Sequence, residues 1–155
     1  MSTISKIFER AILKRLNDFI SANNILPQHQ FGFRRAHSAV HQLRRVVKNI
    51  KDARNSVSRG TSRAPHSTGI LLLDVEKAFD SVWHEALLYK LLQRGCDIFL
   101  ARLIFSFLKD RTFQVKIGNI KSNSRSIPYG VPQGAILSPT LYNIFTSDVP
   151  TSSFC

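Results

Sequence analysis

Asp74 closes the apolar run Ile70-Leu71-Leu72-Leu73, and an aromatic residue, Phe79, follows five positions later. A run that is apolar at consecutive positions predicts a strand covered on both faces, and the end of such a strand is where open sheets display their chemistry. A carboxylate at that edge is a hard oxygen ligand suited to a cation such as magnesium. A single carboxylate makes only part of a metal site, and the plainer reading of an isolated aspartate is a helix cap or a turn residue.

The second chemically informative feature is charge. Of the 22 Lys and Arg and 10 acids that give the chain its net +12, residues 1–69 hold 13 bases against 3 acids, and residues 70–155 hold 9 against 7. The basic excess therefore belongs to the first half. Clustered cations gain free energy by displacing the counterions condensed on a polyanion, so RNA or DNA is the natural partner. A generally basic, soluble surface is the alternative. Hydrophobic residues are 43% and charged residues 21%, ordinary for a globular chain of 155 residues and unlike a disordered one. No apolar stretch has the length of a bilayer span, and the opening segment lacks the apolar core of a signal peptide. Cys96 and Cys155 are too few for a disulfide framework or a zinc site. An intracellular location, nuclear or cytoplasmic, is the expectation.

The elements that must carry these residues follow from periodicity. Ile7, Phe8, Ala11, Ile12, Leu16, Phe19 and Ile20 recur at helical spacing, with Lys6, Arg10, Lys14 and Arg15 on other faces. Asn23-Asn24 and Pro27 end that helix. Ser38 is positioned to cap a second helix with Val40, Leu43, Val47 and Ile50 on a packing face and Arg44, Lys48 and Lys51 on a basic one. Residues 54–68 are Ser-rich with Gly60 and Pro65 and read as a mobile loop. A strand is expected over 69–74. Asp80 or Ser81 then caps a helix that turns Leu87, Leu88, Leu91 and Leu92 inward and stops at Gly95. Residues 98–108 are nearly all apolar and predict a buried helix. Alternation over 112–117, then Gly118-Asn119 and a second run to Ile127, predicts a hairpin. Ser138-Pro139 opens a last helix, with Ser138 as its cap.

Three segments occur in a telling order: Phe31-Gly32-Phe33-Arg34; Leu73-Asp74-Val75-Glu76-Lys77-Ala78-Phe79-Asp80-Ser81-Val82-Trp83-His84; and Gly130-Val131-Pro132-Gln133-Gly134-Ala135-Ile136-Leu137-Ser138-Pro139. Together they closely resemble the reverse transcriptases of non-LTR retrotransposons, above all the jockey-like elements of animals. The resemblance runs through essentially the whole chain, and three motifs in order carry far more weight than any one of them.

What the resemblance implies is specific. Asp74 is a catalytic metal ligand, and Val75 lends its backbone carbonyl to the same magnesium ion, in a chemistry that is mostly positioning and electrostatics. Phe79 is a steric gate that excludes a nucleotide 2′-hydroxyl, and Val75, Ala78, Gln133 and Gly134 are the remaining nucleotide-side residues. Gln133 offers a donor and an acceptor, and Gly134 permits close backbone approach. Arg34 faces the template, and Arg44, Lys48 and Lys51 are candidates for nucleic-acid contact. The partners implied are an RNA template, a DNA primer and deoxynucleoside triphosphates, with no membrane. Ala135 stands where many relatives have Ser, and Ala39 near a place where they have Thr.

The family's second metal-binding element is an aromatic-Ala-Asp-Asp turn, and no Asp-Asp pair occurs among these 155 residues. The implied fold is α+β: a basic helical fingers portion over 1–69 and part of a polymerase palm over 70–155, without that turn or a thumb. Weak or no magnesium binding and no polymerase activity are therefore expected of the isolated chain. The alternatives are a noncatalytic basic module that binds nucleic acid, a degenerate relic of an element, or a partner-docking surface made by the leucine-rich helices.

Overall fold

The computed structural model describes residues 3–55 and 68–149. Their backbone divides into two compact units, one of residues 3–27 with 77–149, the other of residues 28–55 with 68–76.

The first unit is built on four helices. Helix α1, Thr3–Ala22, buries Ile12, Leu16 and Ile20 on one stripe. Its end is set by Asn24, whose φ of 47° is one that Asn tolerates better than most residues, and Ile25 N–H returns to Ile20 O at 3.2 Å.

Helix α2 (Ala39–Asn55) lies in the other unit, and α3 (His84–Gln93) and α4 (Ile98–Leu108) follow in the first. Gly95, at φ 80°, closes α3: its N–H bonds Leu92 O at 3.0 Å, and Cys96 N–H bonds Leu91 O at 3.0 Å, so the last carbonyls are satisfied by the reversal itself. Asp97 caps α4 by accepting from Leu100 N–H at 3.2 Å. Helix α5 is Ser138–Phe145. Helix α3 packs on α4 and α5, and α1 packs on α4. Leu16, Leu87, Leu91, Ile104, Leu108, Leu141 and Ile144 are fully buried where they meet.

Between α4 and α5 runs the expected hairpin, as four two-residue strands. β1 (Thr112–Phe113) pairs β4 (Arg125–Ser126), and β2 (Lys116–Ile117) pairs β3 (Ile120–Lys121), both antiparallel. Gly118, at φ 59°, takes the first position of the two-residue turn. Two residues, Asn123 and Ser124, lie opposite Gln114, which is a bulge that breaks the ladder in two.

In the second unit, His37 and Phe31 meet edge to face with centroids 5.0 Å apart, and Arg45 lies over the Phe31 ring at 5.9 Å. Ser38 opens α2 as expected, its Oγ accepting from His41 N–H at 3.3 Å.

Several expectations are overturned. No strand forms over 69–74: the backbone there is irregular, and Leu71, Leu72 and Leu73 are 82, 86 and 81% exposed. Side chains alone do not make a strand; its N–H and C=O groups need a ladder, and among the described residues strands pair only within the hairpin. The apolar face of α2 is not buried, with Val40, Leu43 and Val47 all exposed and Ile50 only partly covered. Helix α4 is buried on one side only, leaving Phe99 70% exposed. On α3 Leu87 and Leu91 are buried, whereas Leu92 faces outward. Neither Asp80 nor Ser81 caps that helix. It begins at His84 after an extended Trp83, because residues 77–81 close a separate turn in which Lys77 O accepts from Asp80 and Ser81 N–H. Apart from its ends, the loop expected over 54–68 lies outside the described residues, while Arg54 and Asn55 end α2.

Candidate nucleotide site

The Phe79 and Gln133 segments, 54 positions apart in sequence, are joined through their backbones. Val131 N–H donates to Phe79 O at 2.7 Å and Gly130 N–H to Val82 O at 2.8 Å. Gly130 makes the approach possible. It holds φ 83°, and a Cβ there would stand 2.8 Å from Asp80 Cα and 2.9 Å from both Phe79 O and Asp80 O, closer than backbone atoms allow.

The Gly130 carbonyl is held from the other side by two donors, His84 Nε2 at 2.7 Å and Arg111 Nη2 at 2.6 Å. A carbonyl only accepts, so Nε2 of His84, a residue 5% exposed at the start of α3, is the donor. Arg111 also reaches Tyr129 O at 2.9 Å. Burial pulls its guanidinium below the usual arginine value, and the nearby Asp80 charge works against that shift.

From Pro132 onward the chain is pinned at two further points. Pro132 O accepts from Ser138 Oγ at 2.6 Å and from Ala135 N–H at 3.3 Å. Ser138 therefore does not cap α5 as the Ser-Pro pair predicts; its hydroxyl is spent on the loop. Ile136 N–H donates at 2.8 Å to Glu9 Oε2, a carboxylate 2% exposed on α1. Glu9 Oε1 is also buried, with no donor among the described residues. The sequence held a signal for this tether: Glu9 lies on the stripe that continues through Ile12, Leu16 and Ile20, and an acid on a buried stripe demands a partner. Nothing comparable announced His84 or Arg111, whose partner is a backbone carbonyl.

These ties shape a concavity of about 370 Å³ lined by Phe79, Gln133, Gly134, Ala135, Ser138 and Pro139. Phe79 is half-buried and leans on Tyr142, ring centroids 5.2 Å apart. Gln133 Nε2 lies 3.3 and 3.4 Å from the two Asp80 carboxylate oxygens, so Asp80 orients the amide. Gly134 holds φ 82°, but a Cβ there would meet nothing within 4 Å. Within the chain, the close approach of two backbone segments is made at Gly130, and Gly134 faces open space. Ala78 is half-buried and its carbonyl accepts from Ser81 Oγ at 3.2 Å.

The other candidate residues belong to the second unit. Asp74 and Val75 are exposed, and Asp74 Oδ1 accepts from Val75 N–H at 3.0 Å. Among the described residues no three His, Cys, Asp or Glu side chains gather as a metal site. Asp74 thus offers one carboxylate, which by itself does not fit a magnesium ion's demand for oxygen ligands. Arg44, Lys48 and Lys51 share one exposed face of α2, where they border a shallow depression with Leu43, Val47, Asp52 and Asn55. Arg34 lies in the turn before it, its carbonyl accepting from His37 N–H at 3.2 Å. Among the described residues no helix is long and apolar enough to cross a membrane.

The family profile described as reverse transcriptase (RNA-dependent DNA polymerase) matches residues 1–153. The chain belongs to the reverse transcriptase family. Within that family it is 39% identical over 150 residues to a probable RNA-directed DNA polymerase from transposon BS of Drosophila melanogaster. It is 40% identical over 151 residues to the RNA-directed DNA polymerase from mobile element jockey of the same species. Against the jockey polymerase of Drosophila funebris the identity is 37% over 153 residues. These alignments cover 97 to 99% of this chain and 16% of each relative, so the chain spans about one sixth of their length. The relationship to jockey-like, non-LTR retrotransposon polymerases read from the three motifs is correct, and the right-hand polymerase fold follows from membership of the reverse transcriptase family. Helices with small antiparallel sheets are compatible with that fold.

Proposed function

We propose that this reverse transcriptase segment contributes the nucleotide-binding side of an RNA-directed DNA polymerase site, receiving a deoxynucleoside triphosphate in the concavity between Phe79 and the loop 132–138. The observation that carries the reading is that concavity: two sequence-distant motif segments, locked together by backbone hydrogen bonds, expose one aromatic ring, one oriented amide and one glycine to the same space. An aromatic face packs a sugar, an amide with both a donor and an acceptor reads a polar edge, and the bare backbone at Gly134 leaves room for the ligand.

The remaining motif residues take the roles that the family resemblance gives them. Residues 1–69 are assigned to a fingers portion and residues 70–155 to part of a palm. Phe79 excludes the ribonucleotide 2′-hydroxyl, Val75 and Ala78 are assigned to the nucleotide by their place in the motif, and Arg34, Arg44, Lys48 and Lys51 are assigned to the template or primer backbone. Asp74, with the Val75 carbonyl, would supply part of a magnesium site, which needs further oxygen ligands to be complete. Magnesium in this family neutralises phosphate charge during nucleotidyl transfer. The residues of this chain bind and orient the nucleotide.

Equilibrium titration with dUTP and UTP, which differ only at the 2′ position, tests the reading. The chain is expected to bind dUTP more tightly than UTP, and Phe79→Val to narrow that ratio by raising UTP affinity. Equal affinities in the parent chain, or a ratio untouched by Phe79→Val, contradict it.

A further inference from the structure

Lys116 and Lys121 stand directly opposite each other across the hairpin. Ser122 N–H donates to Val115 O at 2.9 Å, so 115 and 122 form a hydrogen-bonded pair and 116 with 121 is the neighbouring non-hydrogen-bonded pair. In that kind of pair the side chains lie closest, with Cβ atoms about 4.5–5.5 Å apart. Like charges placed there repel. Both lysines are exposed, and among the described residues neither forms an ion pair. Residues 111–127 carry Arg111, Lys116, Lys121 and Arg125 and no acid at all.

The lysines also share a face. Alternation places Thr112, Gln114, Lys116 and Lys121 on one side and Phe113, Val115, Ile117 and Ile120 on the other, with Arg125 opposite Phe113, so the two lysines share a face that carries no apolar side chain from these strands. A locally unfavourable arrangement, at a position where any polar residue would serve the fold, points to a use outside the fold. Two cations side by side, with no ion-pair partner among the described residues, match a run of phosphates.

We propose that the 112–126 hairpin binds the phosphate backbone of the nucleic acid through Lys116 and Lys121, a site separate from the basic face of α2. This rests on the polymerase reading above, which supplies the polyanion. The two lysines grip adjacent phosphates, and the repulsion between them is relieved when the duplex binds.

The test is binding of the full chain to an end-labelled RNA–DNA hybrid, followed by anisotropy across a range of salt concentrations. Each phosphate that a variant no longer neutralises lowers the slope of log K against log salt by about 0.9, so Lys116→Gln with Lys121→Gln is expected to lower it by about 1.8 while leaving the thermal midpoint equal or higher. Lys121→Gln alone, the milder variant, is expected to lower it by about 0.9. A slope unchanged in both variants, with the parent chain binding and an Arg44→Gln, Lys48→Gln, Lys51→Gln variant weakened, overturns the hairpin site and leaves the polymerase reading standing. A parent chain that does not bind the hybrid overturns both. Unchanged binding with a lower scattering mass for the hairpin variant overturns the proposal in favour of self-association.

Discussion

Gly130 and Asp80 touch backbone to backbone: a Cβ on Gly130 would lie 2.8 Å from Asp80 Cα. That approach is what brings the Phe79 turn and the Pro132-Gln133-Gly134 loop into one site, because Gly130 and Val131 are the residues whose N–H groups bond Val82 and Phe79. Gly130→Ala must either push the two segments apart or strain a φ of 83°, and each costs on the order of 1–2 kcal/mol or more. A loss of roughly 3 kcal/mol in denaturant unfolding is expected. Gly134→Ala has the same φ problem but no clash, and is expected to lose about half as much.

Glu9 tests the tether from α1. In Glu9→Ala the Ile136 N–H is left without its acceptor in a partly buried place, a cost of about 1–3 kcal/mol. Glu9→Gln keeps an acceptor oxygen at that position and is expected to recover most of the stability. Hydrogen exchange at the Ile136 amide reads the same bond directly, with acceleration in Glu9→Ala and near-parental protection in Glu9→Gln.

These two positions also mark what was legible from sequence. Helix periodicity located α1 and α4, glycine chemistry stopped α3, and the Gly118-Asn119 turn set the hairpin, because each depends on local rules. The family and its motifs were legible because they are a linear order of residues. The strand at 69–74 failed because burial and hydrogen bonding of an apolar run are decided by neighbours, and Leu71 to Leu73 are exposed and pair with no strand among the described residues. Capping at Asp80 failed for a related reason: its carboxylate is engaged by Gln133, 53 positions away, and Ser138 is likewise engaged by Pro132 O. Long-range polar ties of this kind leave no period in the sequence.

The end of α5 carries a pH dependence. Lys90 Nζ lies 2.6 Å from Asp148 Oδ1, and that hydrogen bond, with the lysine charge behind it, holds the Asp148 carboxyl below its ordinary value despite some desolvation. A carboxylate depressed in the folded state contributes stability that is complete above its unfolded pKa, about 3.9, and is lost as pH falls through the lower folded value. The Asp148 side chain is 56% exposed, so screening holds the contribution to about 0.5 kcal/mol or less. Thermal melts of Asp148→Asn against the parent chain are expected to differ slightly at neutral pH and to converge in acid. A gap that persists below the folded value contradicts the assignment.

Cys96 is buried against the core, and burial, reinforced by the Asp97 charge, pushes its thiol up, away from the reactive thiolate. Its alkylation at neutral pH is expected to follow the unfolding rate rather than reagent access. Cys96→Ala is expected to lose about 1 kcal/mol through the small void it leaves.

If Phe79 and the 132–138 loop form one nucleotide-binding concavity, a bound nucleotide must perturb both segments together. Backbone amide spectra of the isotope-labelled chain, recorded as dTTP is added, read this residue by residue. Saturable shifts concentrated at Phe79, Gln133, Gly134 and Ala135 are expected, abolished in Gln133→Ala combined with Phe79→Ala. Saturable shifts centred on Arg44, Lys48 and Lys51, with none at those four residues, would contradict the shared concavity as the nucleotide site.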